Sequence, residues 1–222
     1  STLDVLGYRT NDELITETNG DFNFDKMGYY YGETKLEGER QLRAFCQEAE
    51  LDYVVIYPGF MIGPFDYTLQ LGSLFFDLIN DELPGYIIGG SSFCHVTEVA
   101  KAHVEAAIRG RSGEGYICAG APHTNMTHKA LWQKMGAAVG AKPLTLTLPR
   151  WGFLAYAYLS EFVATFTQKK PAINPGMARY MMVGQYASSK KAEQELGYRI
   201  PTIDECIRDA LSWYRTHGFM TG

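Results

Sequence analysis

Apolar and polar positions recur at steps of three and four between residues 29 and 50, which predicts a helix from about Tyr29 to Glu50. Tyr31, Lys35, Gly38, Leu42, Phe45 and Ala49 fall on one face of it. The distal part of that face is apolar and is expected to pack on a sheet, so the first turn aims a phenol and an ammonium toward the sheet edge. Ahead of this helix, residues 8–28 are polar and irregular and read as a loop with Asn19-Gly20 as a turn signal. After it, "LDYVVIYPG" (51–59) is a β-branched run closed by Pro-Gly, the pattern of a buried strand. A helix at about 67–80, the turn "LPGY" and the extended piece "SSFCHV" follow. Thr97 is placed to cap a helix running to about Arg109, and "EGYICAG" (114–120) reads as another strand. Helices are expected at 127–139, 150–167 and 174–182, then two more separated by the Gly197 and Pro201 breaks. Strand–helix–strand order with buried strands predicts an α/β fold on a parallel sheet.

Composition narrows the classes. The 222 residues are 46% hydrophobic and 20% charged, the balance of a globular chain with a sizeable core. A formal charge of −5 gives no footprint for nucleic acid or an anionic membrane, and the pairs Lys169-Lys170 and Lys190-Lys191 read as solvated faces. Cys46, Cys94, Cys118 and Cys206 are far apart with no CxxC, which favours a reduced cytoplasmic protein and no metal site. "WGFLAYAYLSEFVATF" (151–166) is too short to span a bilayer and contains Glu161. It reads as an aromatic helix lining a pocket, a subunit contact or the core, with an interfacial membrane helix as the minor alternative.

A dinucleotide-binding sheet normally opens with a strand, a glycine-rich turn and a helix whose N-terminus meets the pyrophosphate. "GRSGEG" (110–115) is the nearest approach, but it follows a helix and precedes a strand, so a plain turn explains it. With no strand before Ser1, the chain reads as the remainder of a longer protein.

Candidate chemistry centres on "YYYGETKLEGER" (29–40). With 15 tyrosines in the chain, about one Tyr-x-x-x-Lys match arises by chance. There are two, Tyr31–Lys35 and Tyr186–Lys190. Tyr186 precedes the helix-start signal Ser188-Ser189 on a charged surface, and that pair reads as coincidence. Tyr29 and Tyr30 have Glu33 and Thr34 at the fourth position onward, so neither has a cation beside it. Tyr31 is the candidate. A free phenol has a pKa of about 10, and a cation within about 4–6 Å is expected to lower it by about 1–3 units. Tyr31 could then give a proton to a carbonyl or take one from an alcohol. The plainer alternative is that Tyr31 and Lys35 only solvate a helix start.

Several segments, in order along the chain, resemble the extended short-chain dehydrogenase/reductase family. "STLDVLG" (1–7) resembles its Ser-Ser/Thr-x-x-x-x-Gly stretch, "YYYGETKLEGER" its active-site helix and "YPGFMIGPFD" (57–66) its Arg-Pro-Gly-x-x-x-Gly-Pro loop. "FCHVTEVAKAHVEAA" (93–107) and "YASSKKAEQELGY" (186–198) resemble two later stretches. The likeness implies the remainder of a doubly wound Rossmann-type parallel sheet, without its glycine-rich first part. Residues 1–118 would complete the dinucleotide-binding domain, and 119–222 would be mainly a smaller, mostly helical substrate lobe interleaved with it.

By the same resemblance, Thr2 takes the place of the catalytic Ser/Thr that hydrogen-bonds the substrate oxygen, Tyr31 is the general acid/base, and Lys35 holds the nicotinamide ribose and lowers the tyrosine pKa. The backbone after Pro58, around Phe60 and Met61, would face the nicotinamide carboxamide. The cofactor would be NADP or NAD, with NADP placed first, and a homodimer through the tyrosine helix is implied. His95 reads as a structural or capping group.

Departures from the pattern matter as well. Tyr57 stands where the family has arginine, and Leu3-Asp4 replaces the Asp-Glu pair of the sugar-nucleotide dehydratases, which argues against a dehydratase. Arg179 stands alone where a diphosphate would call for paired arginines. The C-terminal part is rich in Phe, Tyr, Trp and Met, which suits an apolar or aromatic substrate. The details look closest to the dihydroflavonol-reductase-like branch and to hopanoid-associated proteins often labelled sugar epimerases. The expected function is reduction of a ketone or aldehyde, a small-molecule substrate, by hydride transfer. The alternatives are a sugar-nucleotide epimerase, or a truncated or non-catalytic relative that binds no cofactor.

Overall fold

Side chains of the first two paired strands alternate between two buried faces, each covered by helices and loops. The computed structural model describes residues 1–10, 13–167 and 170–220; Lys169 lies outside the described residues. In chain order, a short 3₁₀ helix at Leu3–Leu6 leads through a long loop to α1 (Tyr30–Glu48), β1 (Val55–Pro58), β2 (Phe60–Ile62), α2 (Ser73–Ile79) and β3 (Gly90–His95). Then come α3 (Val96–Arg109), β4 (Gly115–Cys118), β5 (Asn125–Thr127), α4 (His128–Ala138), α5 (Arg150–Thr167), α6 (Pro175–Met181), β6 (Gly184–Gln185), α7 (Lys190–Leu196) and α8 (Ile203–Thr216).

β1 and β4 pair in parallel, Val55 opposite Gly115 and Pro58 opposite Cys118. One face of the pair, with Ile56, Tyr116 and Cys118, packs on α3 and α7 through Val99, Ala102, Ala106, Ala192 and Leu196. The other, with Val55, Tyr57, Ile117 and Ala119, packs on Leu3, Val5 and Leu6 of the 3₁₀ helix. Each fully buried aliphatic such as Ile117 (0% exposed) stabilises the fold by about 1.5–3 kcal/mol. A second sheet is built around β3, with β2 and β6 parallel to it and β5 antiparallel. The expected α/β fold on parallel strands is present in the β1–β4, β2–β3 and β3–β6 pairs, and one antiparallel strand is added to it: β5, which arrives through the Ala121–Thr124 turn, runs back along β3. Gly59, between β1 and β2, passes so close to the Ser92 carbonyl that an added Cβ would sit 2.5 Å from it, so only glycine fits.

The helix caps follow ordinary rules with one exchange. The Thr202 and Glu205 side chains close a capping box on α8, and Asn174 caps α6 ahead of Pro175. The cap of α3 is His95 and not Thr97: its Nδ1 accepts from the Thr97 backbone N–H at 3.1 Å.

α1 corrects a larger expectation. Its Leu42 and Phe45 are 45% and 60% exposed, so the face they share with Tyr31 and Lys35 does not pack on the sheet. The inward face is the neighbouring one, Gly32, Leu36, Glu39, Arg43 and Cys46. Polar bonding turns it inward. Tyr57 of β1 donates to Glu39 Oε1 at 2.8 Å, and Arg43 donates to Tyr57 at 2.9 Å and to Glu39 at 2.9 Å. Arg43 follows Glu39 by four residues on the helix, and the two hold the Tyr57 hydroxyl between them. The aromatic α5 buries only Phe153 and Ala157 and leaves Trp151, Phe162 and Phe166 exposed. No helix among the described residues is long and apolar enough to cross a membrane.

Candidate active site

Three consecutive tyrosines at a helix start point in three directions, because each helical residue turns about 100° from the last. Tyr29 goes inward and is buried, Tyr30 goes outward at 74% exposure, and Tyr31 stays at the rim at 48%. Thr2 is the residue just before the 3₁₀ helix, and its Oγ1 accepts from the Asp4 backbone N–H at 3.4 Å. Gly7 ends that helix at φ +69°, where the Asp21 carbonyl leaves no room for a Cβ. The turn carries Thr2 to Tyr31: the Thr2 hydroxyl acts on the Tyr31 phenol as a polar partner that favours its ionisation. One turn along α1, Lys35 Nζ lies 5.5 Å from the centre of the Tyr31 ring. Tyr31 thus has Thr2 and Lys35 as neighbours.

The net direction at Tyr31 is opposite to the one a lone cation would give. The Tyr31 pKa is raised, first by burial and then by the negative charge of Asp4, with Thr2 opposing. The Lys35 ammonium sits over the ring face and is exposed, where water screens its charge.

Beneath Tyr31 lies a group that sequence reasoning noted only as a departure. Asp4 is 5% exposed, and both its oxygens are engaged: Tyr29 donates to Oδ2 and Tyr180 of α6 donates to Oδ1, each at 2.8 Å. The two phenol rings stack with centroids 4.2 Å apart and 7° between planes. Gln185 Nε2 bonds the Leu3 and Gly7 carbonyls at 3.4 and 2.9 Å, and Tyr180 also lies 3.3 Å from Gln185 Oε1. Burial pushes the Asp4 pKa up, and the phenol hydrogen bonds oppose that rise. The only sequence signal for this layer was the tyrosine run itself; Tyr180 gave none.

Pro58 closes β1, and Phe60 turns into the same aromatic layer, 6.4 Å from Tyr180 and 5.9 Å from Phe93. Met61 points the other way and is 45% exposed. It borders a cavity of about 270 Å³ whose walls include Ile62, Phe65, Leu71, Phe75 and Val96. The second spacing match is not a site: Tyr186 lies in the loop before α7 while Lys190 begins that helix. Among the described residues no cluster of His, Cys, Asp or Glu is arranged to hold a metal ion.

The residues present fit the nicotinamide-ribose end of a dinucleotide. Lys35 makes no salt bridge among the described residues, so its three donors are free beside an accessible phenol. The pyrophosphate end has no counterpart among them. "GRSGEG" is a turn in which Glu114 N–H bonds the Arg111 carbonyl, and the Arg111 guanidinium is committed to Glu195 at 2.6 and 3.0 Å.

Over residues 5–119 the chain matches the model of the NAD dependent epimerase/dehydratase family. It is 25% identical over 201 residues to a Synechocystis sp. protein named "Putative dihydroflavonol 4-reductase", covering 88% of this chain and 57% of that one. Among solved structures it is similar to gox2253, with a TM-score of 0.80, 26% identity, and coverage of 100% of this chain and 66% of that one. A nucleoside-diphosphate-sugar epimerase from Pseudomonas aeruginosa has a TM-score of 0.73 at 20% identity, covering 98% of this chain and 65% of that one, which bears on the fold alone. The chain thus spans less than two thirds of the length of each of these relatives.

Proposed function

Because the chain belongs to the NAD dependent epimerase/dehydratase family, we propose that it carries the catalytic corner of an NAD(P)-dependent reductase acting on a ketone or aldehyde. The observation that supports this most is the Tyr31 phenol: half exposed at the start of α1, beside Thr2, with the Lys35 ammonium 5.5 Å from its ring centre. A protonated phenol is the acid that a developing alkoxide needs.

A reduced nicotinamide, when bound, supplies the hydride to the carbonyl carbon. The carbonyl π pair then moves to oxygen, and Tyr31 Oη–H gives that oxygen its proton. Thr2 Oγ1 orients the carbonyl, and Lys35 Nζ holds the ribose hydroxyls. Holding the carbonyl between two hydroxyls converts a collision into a positioned reaction. NADP is placed ahead of NAD, and a homodimer is the expected assembly.

The richness of the C-terminal part in Phe, Tyr, Trp and Met favours an apolar or aromatic substrate. Two features disfavour the sugar-nucleotide alternatives. Arg179 is already spent on the Met27 carbonyl at 3.0 Å and the Tyr158 hydroxyl at 2.6 Å, so it is not free to clamp a diphosphate. Leu3 is core, and both Asp4 oxygens are capped by phenols, so neither can act on a sugar as a dehydratase pair would. The test is to incubate the enzyme in its full reading frame with NADPH or NADH and a panel of aryl ketones, aryl aldehydes and UDP-sugars. Carbonyl-dependent oxidation of the nicotinamide supports the reading. Interconversion of UDP-sugars without net oxidation would replace it with the epimerase.

A further inference from the structure

The outer face of α5 is apolar and has no partner among the described residues. Its inner face is held: Phe153 and Ala157 belong to the main core, and Ser160 Oγ accepts from the Ala172 and Ile173 backbone N–H groups at 2.9 and 3.5 Å. Along the outer face Trp151, Ala155, Leu159, Phe162 and Phe166 recur at steps of three or four and form one stripe. Trp151 is 77% exposed, Phe166 74% and Phe162 61%. The Phe162 and Phe166 rings meet each other edge to face, with centroids 5.0 Å apart. A stripe this continuous is rarely left to water unless something covers it. Its exposure rules out a core helix, and the depression beside Tyr158, Leu159 and Phe162 is too shallow and open to enclose a small molecule.

The charges around the stripe identify what covers it. Arg150 opens α5 and Lys170 follows its end, both exposed and neither in a salt bridge among the described residues. Arg179 donates to the Tyr158 hydroxyl at 2.6 Å, a third cation on the flank. Glu161 is the only acid within the helix. A contact between two copies through this stripe would set cation against cation. An antiparallel pair of α5 helices brings Arg150 of each copy toward Lys170 of the other, and a parallel pair brings like residues together. A bilayer surface with anionic headgroups instead takes the apolar stripe at the acyl boundary and the cations at the phosphates. The overall charge of −5 opposes this only weakly, because salt screens charges beyond about 8 Å.

We propose that α5 lies flat on an anionic phospholipid surface, with the stripe from Trp151 to Phe166 at the headgroup boundary and Arg150, Lys170 and Arg179 against the phosphates. Arg179 also donates to the Met27 carbonyl at 3.0 Å. The docked helix is thereby tied to the segment that leads into Tyr31.

The test needs neither substrate nor Tyr31. The protein in its full reading frame is sedimented with vesicles of phosphatidylcholine alone and with vesicles of equimolar phosphatidylcholine and phosphatidylglycerol. Partition onto the anionic vesicles is expected to be at least about tenfold stronger. Trp151 emission should shift to the blue on binding, identified as the part of the spectrum lost in Trp151→Phe. Phe162→Ser combined with Phe166→Ser is expected to weaken partition by about tenfold or more. Lys170→Gln should weaken it about fivefold on the anionic vesicles only. Sedimentation with neither vesicle, equal sedimentation of the parent and the double variant, or an unshifted Trp151 emission overturns the proposal. So does a parent that self-associates without binding vesicles and becomes monomeric in the double variant, which would assign the face to a second copy.

Discussion

Tyr31–Lys35 and Tyr186–Lys190 have the same spacing, and the fold treats them differently. The first pair lies within one helix, so four residues of separation bring the ammonium over the phenol ring, 5.5 Å from its centre. The second straddles a loop and a helix start. The Tyr186 ring fills the space beside Gly90 and Gly184, while Lys190 is exposed and it is Lys191 that bonds Glu114 at 2.6 Å. Both phenols have raised pKa values, but for different reasons. Burial is the only cause at Tyr186, whereas at Tyr31 burial is joined by the charge of Asp4. A spacing motif becomes chemistry when one helix holds both groups and a third element supplies the field.

The comparison can be broken most severely by removing the two hydroxyls. Tyr31→Phe in the full-length enzyme is expected to lower kcat by about 10²–10⁴-fold with cofactor affinity nearly intact, while Tyr186→Phe stays within about twofold. Steady-state kinetics with equilibrium binding of NADPH check both, and equal losses would erase the distinction. Next come the two ammonium groups. Lys35→Met is expected to weaken NADPH about tenfold or more, the loss of a charge-assisted hydrogen bond, and Lys190→Met to leave it unchanged, read by the same binding titration.

The pH dependence sharpens the contrast with a smaller effect. A phenol whose folded pKa lies above its unfolded value contributes stability that is complete below about pH 10 and is lost as pH rises through the folded value. Both tyrosines are shifted in that direction, so chemical denaturation should show stability falling with rising alkalinity. Replacing either with Phe should flatten the fall, and a steeper fall in the variants would reverse the sign. The smallest effect is expected at Tyr30, which is 74% exposed: Tyr30→Ala should change thermal stability by about 0.5 kcal/mol or less.

Much of the element order was legible because helices and β-branched strands announce themselves locally. The helix expected over 29–50 occurs as Tyr30–Glu48, and the five later helices from 127 onward are present with ends displaced by a few residues. The strand expected over 51–59 is shorter, Val55–Pro58, and β2, β5 and β6 are three residues or fewer, too short to leave a periodic trace. The error over the face of α1 has a different origin. Apolar Leu42 and Phe45 suggested the inside, but Glu39 and Arg43 found Tyr57, and those hydrogen bonds set the rotation of the helix. The candidate residues Thr2, Tyr31 and Lys35 were named from their motif, and the structure places Thr2 and Lys35 beside Tyr31. Asp4, Tyr29 and Tyr180 were not legible as a unit.

Sequence alone determined which groups could share a helical turn, since a turn involves only neighbours within four positions and its rules travel with the residues. The acidity of the phenol was left to the tertiary structure. Its pKa is raised first by burial and then by Asp4, which lies among Leu3, Val5 and Leu6 and accepts from donors at the start of α1 and in α6. Electrostatic influence acts through space, and only folding decides which charge lies beneath which hydroxyl.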